Sequence, residues 1–182
     1  MSTQVLETKV KSVGKLVKRE LTTVYQELDL TQSAVLEWLR SLKAPIEYEE
    51  DPLVTEEGVV AELRENILKH GRIYVPIVVT RDGWIIDGKA RVAALRELTN
   101  NFTEPIGIKL PVITLYNVTW KEDKDLCLLL RLVLNEIGHS DRRFCDDALA
   151  KFLQHVREKY DICLLYTSDA ADEGLGVDLG GR

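Results

Sequence analysis

The sequence predicts an α/β (α+β) fold, a small mixed sheet with flanking helices, preceded by an N-terminal helical hairpin. Three observations carry this prediction. Two runs rich in β-branched residues, IYVPIVVT at 73–80 and WIID at 84–87, are joined by the turn-forming Arg81-Asp82-Gly83, and a third, LPVITLYNV, follows at 110–118. Amphipathic stretches alternate with these runs in the order helix, strand, strand, helix, strand, helix, helix. A composition of 45% apolar and 30% charged residues over 182 positions suits a globular chain able to bury a core.

Taken in order, apolar residues at Leu6, Val10, Val13, Val17, Leu21, Val24 and Leu28 recur at steps of three or four and predict one long helix. Lys11, Lys15 and Lys18, with Arg19 beside them, give it a basic face. Such a face is either solvated or a contact for phosphates or an acidic partner. Asp29 and Thr31 are capping types ahead of a second helix, on which Val35, Trp38, Leu39 and Leu42 share a side and which Pro45 ends. An αα-hairpin packing on the next domain is the commoner reading of this pair; a DNA-reading helix-turn-helix is the alternative. Residues 46–55, acidic and proline-marked, read as a linker or edge segment.

Thr55 precedes a third helix with Val59, Val60, Leu63 and Ile67 on one side and Gly71 as its stop. Pro76 removes a ladder donor, so the first strand is irregular or at an edge there. A helix over about 89–99 follows WIID, and two more cover about 121–137 and 143–159. The expected organisation is a hairpin over 1–45, a core domain over 46–120, helices over 121–162 leading toward a missing segment, and a tail over 163–182.

Residues 163–182, CLLYTSDAADEGLGVDLGGR, resemble the in-frame translation of a transposon-type sequencing-library adapter, with matching pieces on both sides of a variable index. This reading makes the tail non-native and the chain a truncated fragment whose natural sequence continues past Ile162. It also corrects the charge. Four acids against Arg182 give the tail a net −3, leaving residues 1–162 with −3 of the total −6. Even so, no excess of cations supports coating nucleic acid by bulk electrostatics.

The longest apolar run, LCLLLRLVL at 126–134, is too short to span a bilayer and contains Arg131. No basic-then-apolar signal opens the chain, so the cytoplasm is the expected compartment and no membrane partner is expected. Cys127, Cys145 and Cys163 show neither CxxC spacing nor a histidine at ligand spacing. They read as free thiols, Cys127 in the core, and no metal site is expected. The acids Glu49, Glu50, Asp51, Glu56 and Glu57 read as a surface loop, and His70 as a helix C-terminal residue.

The chemistry concentrates at IIDGKAR, 85–91. A strand ends at Asp87, Gly88 permits a tight turn, and a helix begins at once. Unpaired N–H groups and the dipole at a helix start attract anions, whereas cations in that first turn oppose the helix unless an anion is there. Lys89 and Arg91 therefore suggest a phosphate site; a surface turn with incidental cations is the alternative.

The wider stretch 55–98 resembles the N-terminal domain of the ParB/sulfiredoxin-like superfamily. It has a helix ending in Ile67 to Gly71, then PIVV at 76–79, then a GxxRxxA box at Gly88-Lys89-Ala90-Arg91-Val92-Ala93-Ala94, with LPVITL as the strand after it. The resemblance implies a nucleotide-binding domain in which Gly88, Lys89, Ala90 and Arg91 hold the phosphates. CTP is the favoured ligand, ATP or ADP serve in enzyme branches, and Mg2+ accompanies the nucleotide. Lys89 and Ala90 depart from the commoner box residues, and the absence of cysteine at position 89 excludes sulfiredoxin chemistry. A second motif of partition proteins is matched in part by Asn135, with Arg142 and Arg143 at departing spacing.

The implied function is a ParB-like nucleotide switch in DNA partition or regulation. Its partners would be DNA, reached through a segment past Ile162, and a second copy in a homodimer. Slow nucleoside triphosphatase activity would fit this role. Alternatives are a serine-type small-molecule kinase or a ParB-like nuclease, with Asp87 and Glu57 as candidate catalytic carboxylates, and a non-catalytic interaction domain.

Overall fold

The computed structural model describes residues 3–45, 53–54, 58–101, 107–136, 143–144 and 146–160. The acidic positions Glu49, Glu50, Asp51, Glu56 and Glu57, together with Arg142 and the segment 163–182, lie outside the described residues.

The elements run α1 (Thr3–Leu16), β1 (Thr23–Asp29), α2 (Ser33–Ser41), β2 (Leu53–Val54), α3 (Val59–His70), β3 (Ile77–Thr80), β4 (Ile85–Asp87), α4 (Lys89–Asn101), β5 (Lys109–Leu115), α5 (Lys124–Glu136), β6 (Arg143–Phe144) and α6 (Asp146–Tyr160). Four strands form one mixed sheet in the order β1-β5-β3-β4, while β2 and β6 make a separate short ladder. β3 is parallel to β5; β1 with β5, and β3 with β4, are antiparallel.

Both faces of β3, β4 and β5 are covered, which is why these strands read as nearly unbroken apolar runs, whereas β1 is mostly exposed. Alternate residues point to opposite sides. Val78, Ile86, Ile113 and Leu115 join one core with Leu6, Val10 and Val13 of α1, the apolar face of α5 and Val156 of α6. Ile77, Val79, Ile85, Leu110 and Val112 join the other with residues of α2, α3 and α4. Pro76 sits just ahead of β3, so the missing donor falls outside the ladder. Cys127 is in the first core as expected, and burial pushes its thiol up to about 12, so it is unreactive in the folded chain.

The expected N-terminal helical hairpin is corrected. α1 stops at Leu16; Val17 and Leu21 lie in the connection that follows, and Val24 and Leu28 belong to β1 at the end of the main sheet. The stop is a local device. Lys18 takes a left-handed φ of 55°, Lys18 N donates to Lys15 O, and Arg19 N donates to Gly14 O. Gly14 makes room for this return, because a Cβ there would lie 2.6 Å from Arg19 O. Arg19, expected on a basic face, instead bonds Asp123 and the Asn117 carbonyl. Asn117 in turn bonds Glu20 O at 2.7 Å and Thr22 N at 2.9 Å.

α2 is closed from across the fold. The guanidinium of Arg96 on α4 donates to the carbonyls of Leu39 and Leu42 at 2.9 and 2.6 Å, pairing groups that a helix end leaves open. The β3–β4 turn is pinned in a similar way. The Asp82 carboxylate accepts from Thr80 Oγ1 at 2.7 Å and from Trp120 N at 3.0 Å, and Trp84 stacks on Trp120 at 4.6 Å between centroids.

α6 docks on α5 through Asp125, whose Oδ2 meets His155 Nε2 at 3.2 Å and also accepts from Lys159. Partial burial works against the charged carboxylate, but these donors together outweigh it and hold Asp125 below the usual aspartate range. A carboxyl whose pKa is depressed by folding stabilises the fold above its unfolded value, about 3.9, and that contribution fades as pH falls through the folded value. The protection factors of the α6 amides, taken relative to the intrinsic exchange rate at each pH, are therefore expected to fall below about pH 4, and Asp125→Asn to show the lower protection already at neutral pH.

Candidate functional site

The turn after β4 is built around Gly88. Its φ of 92° lies where side chains are disfavoured, and its carbonyl accepts the first bond of α4, from Val92 N at 2.9 Å. Packing closes the same position. A Cβ on Gly88 would stand 2.7 Å from Ile77 Cγ2 and 3.0 Å from an Arg91 guanidinium nitrogen. The N–H groups of the first turn, at Lys89, Ala90 and Arg91, have no helical acceptor by the geometry of any helix start.

Arg91 lies folded back over Gly88. Its terminal nitrogen donates to Asp87 Oδ2 at 2.9 Å and to Pro76 O at 3.1 Å. One guanidinium thus ties the entry of β3, the end of β4 and the start of α4. Both partners of the ion pair are buried, with side-chain exposures of 9% and 5%. Ala90 faces the interior, and Lys89 is half-buried. The small residue at position 90, a departure from the commoner box, fills a buried place that a longer cation could not share without burying its charge.

Behind the turn, α5 presents a polar pair that the sequence only hinted at. Arg131, the lone charge in the apolar run, is buried and donates to Ile85 O and Ile86 O, both at 3.0 Å. It holds the backbone of β4 immediately before Asp87. Asn135, one turn further, is also buried and donates to Arg131 O. Among the described residues no hydrogen bond links Asn135 to Asp87 or Arg91. A charge in the middle of an apolar helix face was the available signal for Arg131, since a buried arginine needs acceptors. Arg131→Met is expected to cost about 1–3 kcal/mol by leaving two buried carbonyls short of a donor, read from denaturant unfolding.

Among the described residues, three buried side-chain atoms have no hydrogen-bond partner: Asp87 Oδ1, Arg91 Nε and Asn135 Oδ1. Two of them flank Gly88, and all belong to residues singled out from the sequence. Such groups are uncommon in folded proteins and mark places where a further partner fits. The other candidate carboxylate, Glu57, lies outside the described residues, as does Arg142; of Arg143 only the backbone, in β6, is described. Among the described residues no cluster of His, Cys, Asp or Glu is arranged to hold a metal ion, and no helix is long and apolar enough to cross a membrane.

No protein-family model and no curated protein matches the chain. Among solved structures it is similar to a pNOB8-like ParB N-domain in one crystal form, with 16% identity and a TM-score of 0.48 over 86% of this chain and 52% of that one. It is also similar to another structure of a pNOB8-like ParB N-domain, with 18% identity and a TM-score of 0.46 over 86% of this chain and 48% of that one. The chain spans about half the length of these solved structures.

Proposed function

We propose that the Gly88 turn binds the phosphates of a nucleotide, with CTP favoured and ATP or ADP as alternatives, and that occupancy acts as a switch in DNA partition or regulation. The observation that carries this reading is the glycine-capped start of α4 set beside the buried, unpartnered Nε–H of Arg91. Helix-start N–H groups and the helix dipole suit a phosphate oxygen, and a guanidinium N–H adds a charge-assisted bond. Lys89, half-buried at the mouth of the turn, supplies a second cation. Mg2+ accompanies a triphosphate as its counter-ion. The GxxRxxA resemblance supports nucleotide over free phosphate. It also supports a DNA partner and a homodimer.

Titrating CTP, ATP, ADP and GTP with Mg2+ against the full chain, one nucleotide is expected to raise the melting temperature and Lys89→Ala to shrink the rise. Failure of all four to move the melting curve would sink the proposal. The closed Asp87–Arg91 pair favours a second reading, in which the box only holds the fold together and the domain is an interaction module. Phosphoserine made from ADP and serine, or metal-dependent DNA nicking, would instead place the chain among the enzymes.

A further inference from the structure

β1 ends the sheet, and its outer side has no strand partner among the described residues. Its register with β5 is unbroken from Thr23↔Leu115 to Asp29↔Lys109. The direction of its backbone groups follows from the bonds flanking it. Tyr116 N donates to Thr22 O, and Leu30 N donates to Ile108 O, so the even-numbered residues address β5. Thr23, Tyr25, Glu27 and Asp29 therefore turn their N–H and C=O groups outward. Pro111, which lacks an N–H, stands opposite Glu27, where β1 asks no donor of it.

Exposed edges are normally blunted by proline, charged side chains (lysine above all), a bulge or a covering segment; the charges of β1 are Glu27 and Asp29. β1 contains no proline, no basic residue and no bulge. Val24 and Tyr25, on opposite faces, are 37% and 41% exposed. A straight seven-residue edge of this kind is a template for another strand.

We propose that two copies of the chain pair antiparallel through β1, with the two-fold axis at Gln26. Outward groups lie on odd residues, so odd must meet odd, which admits axes at Tyr25, Gln26 or Glu27. An axis at Glu27 sets that carboxylate against its own copy. One at Tyr25 shortens the overlap and drives Asp29 past the strand end toward Leu21. The axis at Gln26 uses the whole strand. It sets Thr23 opposite Asp29, Val24 opposite Leu28, and Tyr25 opposite Glu27, with no like charges directly facing. The phenol–carboxylate bond already made within the chain, Tyr25 Oη to Glu27 Oε1 at 3.1 Å, shows that these groups suit one another. The interface depends on no feature of the nucleotide site.

The test is crosslinking of the full chain together with its solution mass. Gln26 meets its copy as a non-hydrogen-bonded pair, whose Cα separation of about 4.5 Å is within disulfide range. Gln26→Cys is expected to give a disulfide-linked dimer under mild oxidation. Val24→Cys, four residues from its own copy across the axis, is expected to give none, and the unsubstituted chain serves as the blank. Sedimentation should report a dimer for the parent chain and a monomer for Glu27→Pro, which removes an outward N–H without touching the β5 ladder. A monomeric parent, or a dimer that crosslinks no better at position 26 than at 24, overturns the proposal. If Glu27→Pro fails to fold, the two cysteine variants decide alone.

Discussion

Arg91→Ala is expected to destabilise the fold by about 3–5 kcal/mol, the range for leaving one partner of a buried ion pair uncompensated. The loss goes beyond the pair itself. Pro76 O loses a donor, and the ends of β3 and β4 lose a polar tie to α4. Removing both charges with apolar residues of similar size, as in Asp87→Leu with Arg91→Met, is expected to recover most of that stability, because desolvating a buried pair offsets much of its attraction. Denaturant unfolding of the two single variants and the double variant measures the coupling. A small cost for Arg91→Ala alone, within about 0.5 kcal/mol as for a surface position, would mean that Arg91 swings out of the fold and that Asp87 finds another partner. A destabilised single variant also cannot report cleanly on ligand binding, which is why Lys89 is the better probe of the phosphates.

The second large effect is expected at Gly88→Ala, about 2–6 kcal/mol from two sources of about 1–3 kcal/mol each: backbone strain and forced overpacking. The sources separate by comparison with Gly71, which closes α3 at a φ of 63° with nothing within 4 Å of its would-be Cβ. Gly71→Ala should show only the conformational part, about 1–2 kcal/mol. The excess at Gly88 then measures the contact with Ile77 and Arg91. Equal losses at the two glycines would show that the turn relaxes around a methyl group and that close packing beneath Arg91 is not what selects glycine.

Much of this architecture was legible in local pattern. The hairpin around Arg81-Asp82-Gly83, the stop of α3 at Gly71, the strand around Leu110–Leu115 and the turn at Gly88 each depend on a few adjacent residues whose φ preferences or apolar continuity carry the signal. The run Thr22–Leu28 misled for a definable reason. Residues four apart share a face in a helix and in a strand alike, so Val24 and Leu28 continue the stripe of α1 although they lie in β1. What told the two apart was the bond pattern at Lys18 and the clearance at Gly14, both of which involve residues folding back from further along the chain.

By itself, then, the sequence determined a mixed α/β domain with a glycine-capped helix start flanked by Asp87, Lys89 and Arg91. Turn chemistry and apolar runs are written within a few residues. Only the tertiary structure decided that Arg91 is spent on Asp87 and Pro76, that Arg131 holds the carbonyls of β4, and that β1 stands open at the sheet edge. The carbonyl acceptors and strand neighbours are set by the register of segments 15 to 92 residues apart, and no local preference encodes that register; the Arg91–Asp87 pair, four residues apart, closes only because that register buries it.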